Sequence, residues 1–189
     1  MPYRVNIPEG EVALDYILNR VGTESLLAMR DKMFKTVYTN HDTTLTPRER
    51  EGMRILLTDI MGCPICNSLR MWRDYPGFCD EEIPEAFYQN ALDKNFGYEG
   101  FSKRESLAVQ FADRFANDID NLNGDDAFWD QLHANFSDRE IGDMCFFNGC
   151  WLGAGHTLKS LGIGSVCEIL PGHDSDVIER LRNPARQTA

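Results

Sequence analysis

The chain has 189 residues, 42% of them hydrophobic and 26% charged, and a net charge of −11. That size suits one domain, or two closely packed halves, with a proper core of its own. The acidic balance argues against nucleic acid as a partner, because phosphate binding needs a basic surface. No apolar run is long enough for a membrane span.

The opening segment MPYRVNIPEGE lacks the charged-then-apolar pattern of a secretory leader, which predicts a cytoplasmic protein. Apolar residues recur every three or four positions over Glu11–Val21 and Glu24–Tyr38, so both read as helices, punctuated by Pro8, Gly10 and Gly22. His41, in the loop TNHDTT, reads as an exposed lone histidine with no second metal ligand spaced to it. The acidic clusters Asp80–Glu82 and Asp118–Asp126 read as solvated surface.

Three later helix starts share one device. Thr46, Ser102 and Ser137 each stand three residues before a glutamate (Glu49, Glu105 and Glu140). This is the capping box, in which the hydroxyl accepts from the N3 amide and the carboxylate reaches back to the cap. Two of these segments, LTPREREGMRILLTDIMG and FSDREIGDMCFFNGCWLG, align without gaps, with Glu49 opposite Glu140 and Gly62 opposite Gly153. They read either as an internal duplication of a helical hairpin or as two ordinary capped helices.

Chemistry concentrates in Glu51–Arg70, EGMRILLTDIMGCPICNSLR. A helix is expected to stop at Gly62, since glycine tolerates the left-handed geometry of a helix end. Cys63 then falls at an N-cap and Pro64 at N1, where a missing N–H costs nothing. Cys63 and Cys66 share a helical face within reach of a short disulfide, and a helix N-terminus favours thiolate over thiol. Glu51 lies twelve residues before Cys63, roughly 18 Å along a helix, so it meets the thiols only if the chain folds back or another subunit supplies it.

Six cysteines are too few for a stapled secreted scaffold. Cys79, Cys145, Cys150 and Cys167 have no motif spacing and read as buried or incidental thiols. The CxxC has three readings: redox dithiol, half of a metal site, or coincidence. A thioredoxin-like site requires a preceding strand, and here a capped helix precedes. Zinc would need two further ligands, such as Cys79 and a histidine, and no familiar ligand pattern supplies them.

Beyond the thiols, Asp74–Glu82 is a turn-rich loop around Pro76 and Gly77, Pro84–Leu92 a short helix, and Asn95–Gly100 a second loop. Ser102–Ile119 is a long amphipathic helix whose Leu107, Phe111 and Phe115 form a core stripe. Asp125–Ala134 is another helix, carrying Trp129 and His133. From Asp138 to about Leu161 the apolar and small residues, Gly149, Gly153, Ala154 and Gly155 among them, predict a central buried helix or a subunit contact. His156 lies in that helix as a core or interface histidine. A short helical stretch, DVIERLR, falls within the tail Gly172–Ala189. No strand pattern reaches convincing length; Ile163–Ile169 alternates weakly. The predicted class is all-α.

A glutamate, an apolar helix, then G-C-x-x-C at this distance resembles the carboxymuconolactone decarboxylase family, in particular its alkylhydroperoxidase AhpD-like branch. The resemblance runs over about Leu45–Gly162. It implies an all-helical bundle built from hairpins, a homo-oligomer, and a dithiol oxidised by a small-molecule hydroperoxide and re-reduced by a thiol reductant system, with no cofactor. Carried onto this chain, Cys63 and Cys66 are the redox pair and Glu51 begins a proton relay. The family's histidine, four residues after the second cysteine, is replaced by Arg70, with His156 a candidate to stand in for it in space. A guanidinium stays protonated, so Arg70 cannot serve as the base, although its charge can depress a nearby thiol pKa or pair with Glu51. This departure favours dithiol–disulfide exchange over a peroxidase. Two alternatives remain: a lyase acting on a small cyclic acid, and a non-catalytic redox-sensing helical oligomer.

Overall fold

The computed structural model describes residues 3–11, 13–39, 42–74 and 78–163. Among them the protein is all-α, with ten helices and no strand. In order these are α1 (Ala13–Arg20), α2 (Glu24–Thr39), α3 (Pro47–Met61), α4 (Pro64–Ser68), α5 (Met71–Asp74), α6 (Glu85–Leu92), α7 (Lys103–Asn117), α8 (Ile119–Gly124), α9 (Asp126–Asn135) and α10 (Asp138–Ser160). None is long and apolar enough to cross a membrane.

The helix at the centre is α3. It packs against α6, α7 and α10, and Met53, Ile55, Leu56 and Leu57 are wholly buried, each contributing about 1.5–3 kcal/mol by leaving water. Two glycines permit close approach: a Cβ at Gly52 would stand 2.7 Å from Val109 Cγ2 and 3.2 Å from Phe87 Cζ, and one at Gly155 of α10 would collide with Met61 Sδ. The main core joins α3 to α6, α7, α9 and α10 through Phe87, Tyr88, Phe111, Leu132, Met144 and their neighbours. A smaller cluster of Ala13, Leu14, Ile17 and Ile163 seats α1.

All three capping boxes form, with hydroxyl and carboxylate bonds both present, and they interlock. Each reads [ST]-x-Arg-Glu, and the arginine of one box reaches the glutamate of another. Arg48 Nε donates to Glu105 at 2.5 Å. Arg104 bridges two helices, with Nε donating to Glu49 at 2.6 Å and Nη2 to Glu140 at 2.7 Å. The aligned glutamates Glu49 and Glu140 thus share one guanidinium, which draws three helix N-termini together.

Several elements differ from the sequence expectation. The long helix from Ser102 ends at Asn117, and α8 follows separately. The CxxC helix ends at Ser68, because Leu69 adopts an extended backbone, and α5 is a further short turn of helix. α10 is one-sided rather than central: Met144, Phe147, Asn148 and Trp151 face the core, while Phe146 is 78% exposed and Gly149 and Gly153 border open space. With α1 and α2, its outer face lines an apolar groove of ≈390 Å³ that includes Leu18, Leu26, Met33, Phe34 and Cys150. Cys79, Cys145 and Cys150 are half-buried free thiols. The readings of His41, Pro76, Gly77, Cys167, the alternation after Ile163 and the tail helix fall outside the described residues.

Candidate dithiol site

The turn that presents the thiols follows from local sequence. Gly62 closes α3 in the left-handed region (φ 66°, ψ 39°), where a Cβ would be strained, and the Cys63 amide donates to Thr58 O at 3.0 Å. Cys63 caps α4, and Pro64 follows at N1. Both cysteines are half-buried thiols. Their sulfurs are hydrogen-bonded to each other at 2.6 Å, and the Cys66 amide donates to Cys63 Sγ at 3.3 Å. A disulfide bond is about 2.05 Å long, so closing one needs only a small further approach. The hydrogen bond with Cys63, and after it burial, pushes the Cys66 thiol well above its ordinary value, with Arg54 opposing. The amide that Cys63 Sγ accepts favours negative charge on that sulfur.

The chain folds back on Glu51 as the spacing required, but through an intermediary. Glu51 is 0% exposed. Arg54, one turn along α3, grips it with Nε on Oε1 and with Nη2 on Oε2 at 3.1 Å. The Tyr88 hydroxyl and the Met71 amide also donate to Oε2, at 2.9 and 3.1 Å. The same guanidinium reaches the thiol turn, with Nη1 donating to Cys66 O at 2.7 Å and Nη2 to Leu69 O at 2.8 Å. Burial works against the Arg54 charge, but Glu51 more than offsets it and raises the Arg54 pKa. Tyr88 is likewise raised, first by burial and then by Glu51.

Arg70 meets the backbone of the same turn, its Nη1 donating at 3.1 Å to the Leu69 carbonyl that Arg54 also holds. Its guanidinium pairs with Glu85 at 2.8 and 2.9 Å, donates to the Asn67 carbonyl at 2.7 Å and stacks 4.3 Å above the Tyr88 ring. Its carboxylate partner is thus Glu85, and Glu51 belongs to Arg54. His156 is exposed on α10, and His133 meets Asp138 at 3.4 Å elsewhere. Tyr38 of α2 feels the charges of Arg54, Cys66 and Glu51, and burial pushes its phenol up to about 12. From α10, Lys159 approaches Gly62, its Nζ lying 3.6 Å from where a Cβ would stand.

Sequence reasoning thus found the two thiols and Glu51, and missed Arg54, Tyr38 and Tyr88. Arg54 left one legible trace, an arginine three residues after Glu51 in an otherwise apolar run. The tyrosines left none. Among the described residues, no three of His, Cys, Asp or Glu gather closely enough to hold a metal ion. No family model, curated protein or solved structure matches the chain.

Proposed function

We propose that this protein is a dithiol–disulfide oxidoreductase in which Cys63 attacks and Cys66 resolves. The observation that carries the reading is the pair of thiol sulfurs 2.6 Å apart, one of which accepts the other residue's amide. The Cys63 thiolate attacks one sulfur of a small disulfide, forming a mixed disulfide and expelling a thiolate. Cys66 gives its proton to that leaving group and attacks Cys63, closing the intramolecular disulfide and releasing the second half of the substrate as a thiolate, which water protonates. A thiol reductant reopens it by the reverse exchange. A cytoplasmic setting, where thiols are kept reduced, suits such a cycle.

Disulfide is the better electrophile here for a reason of leaving groups. A thiolate departs without help, whereas the alkoxide from a hydroperoxide needs a proton donor beside it. The family position that supplies one holds Arg70, committed to Glu85. Membership of the AhpD-like branch is part of the proposal, supported by the Glu51–Cys63–Cys66 spacing and the all-helical fold. The homo-oligomer it implies would be served by the exposed apolar face of α2 and α10, with Leu26, Met29 and Phe146.

Reduced protein assayed with glutathione disulfide and with an organic hydroperoxide, under a dithiol reductant, tests the reading. Turnover of the disulfide that is abolished by Cys63→Ser is expected, with slower turnover of the peroxide. Faster peroxide turnover restores the peroxidase, and no turnover of either leaves the lyase or the redox sensor.

A further inference from the structure

A reactive dithiol needs its turn held in one geometry, and α4 cannot supply that alone. It is a single turn of helix that ends at Ser68, too short to order itself. Three arginines meet its carbonyls: Arg70 at Asn67 O and Leu69 O, Arg73 at Ser68 O, and Arg54 at Leu69 O (2.8 Å) and at Cys66 O (2.7 Å), the carbonyl of the second thiol residue. The Arg54 guanidinium is in turn fixed by both oxygens of a wholly buried carboxylate. Resting on the dithiol reading, we propose that Arg54 is the positioning residue of the pair. It holds the Cys66 and Leu69 carbonyls from its anchor on Glu51 and keeps the Cys66 amide aimed at the Cys63 sulfur.

This assigns Glu51 a different part from a proton relay. Its two oxygens already receive the Arg54 Nε and Nη2, the Tyr88 hydroxyl and the Met71 amide. Three of these bonds fall on Oε2 and one on Oε1, so the carboxylate is committed chiefly to Arg54, Tyr88 and Met71. Glu51 acts through Arg54, as the anchor of a clamp. The guanidinium also brings a fixed positive charge beside the sulfurs, where it favours a thiolate. The other groups around the sulfurs are Tyr38 from α2, Glu51 from α3, and Asp59, also of α3, which receives the Asn67 amide at 3.2 Å. Arg70 and Tyr88 lie behind the turn, and Lys159 of α10 is beside Gly62. Arg70 also holds the Asn67 and Leu69 carbonyls and Arg73 the Ser68 carbonyl, but Arg54 is the cation bonded to the carbonyl of a thiol-bearing residue, Cys66, and anchored on Glu51.

The test compares wild type, Arg54→Lys, and the double variant Glu51→Gln with Arg54→Met, which removes both charges and leaves an acceptor for Tyr88 and Met71. The rate of Cys63 alkylation by iodoacetamide is followed against pH, together with the dithiol midpoint potential in glutathione buffers, and each fold is checked by circular dichroism. The double variant is expected to raise the pH midpoint by about one unit, hence about tenfold slower alkylation at pH 7, and to shift the potential. Lysine keeps the charge but not the fork that spans two carbonyls and a carboxylate, so its midpoint falls between the two. A folded double variant with the wild-type profile and potential overturns the proposal. If the double variant does not fold, Arg54→Lys decides, and an unchanged profile overturns it. Failure of the dithiol reading looks different: wild type then alkylates normally but forms no Cys63–Cys66 disulfide in any glutathione buffer.

Discussion

Glu51 and Arg54 stand one turn apart on α3 with both charges buried and bonded to each other, their side chains 0% and 3% exposed. A buried pair adds little net stability, but removing one partner strands the other charge. Glu51→Ala is therefore expected to cost about 3–5 kcal/mol, since it also leaves the Tyr88 hydroxyl and the Met71 amide without an acceptor. Removing both charges with Glu51→Gln and Arg54→Met is expected to cost less than Glu51→Ala alone. Urea unfolding of the two proteins checks the order.

The cap network carries a pH dependence. The hydrogen bond from Arg104 holds the Glu140 carboxyl down from its ordinary 4.5 to about 2. A carboxylate depressed in the folded state stabilises it at pH values above the unfolded pKa, and that contribution disappears as pH falls from 4.5 towards 2. Stability should therefore decline through this window, and Glu140→Gln should flatten that part of the profile. Denaturant midpoints at about pH 6, 4 and 3 span the range and measure it.

Gly52 marks a tight crossing of α3 with α7 in the core. Alanine there would stand 2.7 Å from a methyl of Val109, a short, wholly buried side chain that cannot swing away. Gly52→Ala is expected to destabilise by about 1–3 kcal/mol, the usual cost of overpacking. The double variant with Val109→Ala should recover part of the loss, as thermal unfolding would show.

The two thiols should separate in reactivity. Limited iodoacetamide at about pH 8, near the ordinary thiol pKa, is expected to label Cys63 first, because its sulfur accepts the Cys66 amide. Peptide mapping after partial alkylation reads the order directly, and equal labelling would argue against the assignment.

What the sequence made legible was local. The Ser/Thr-x-x-Glu boxes, the Gly62 stop and the Cys63 cap depend on neighbours three or four residues away, and all appear as expected. What it hid is long-range pairing. Arg70 was open to a bond with Glu51, yet the early end of α4 at Ser68 turns Arg70 towards Glu85, fifteen residues on. Glu51 could be located on its helix, but its occupation by Tyr88 depends on where α6 docks. The apolar composition of α10 fits either a central buried helix or a subunit contact. Its open face shows only once α3 is seen to occupy the centre.

The most direct test of the dithiol function is mass spectrometry of the reduced protein after exposure to glutathione disulfide, for wild type, Cys63→Ser and Cys66→Ser. A Cys63–Cys66 disulfide is expected in the wild type and a trapped glutathione adduct on Cys63 in the Cys66→Ser variant, with little adduct in Cys63→Ser. A wild type that keeps both thiols would contradict the redox function. An adduct formed instead on Cys66 of the Cys63→Ser variant would reverse the roles of the two sulfurs.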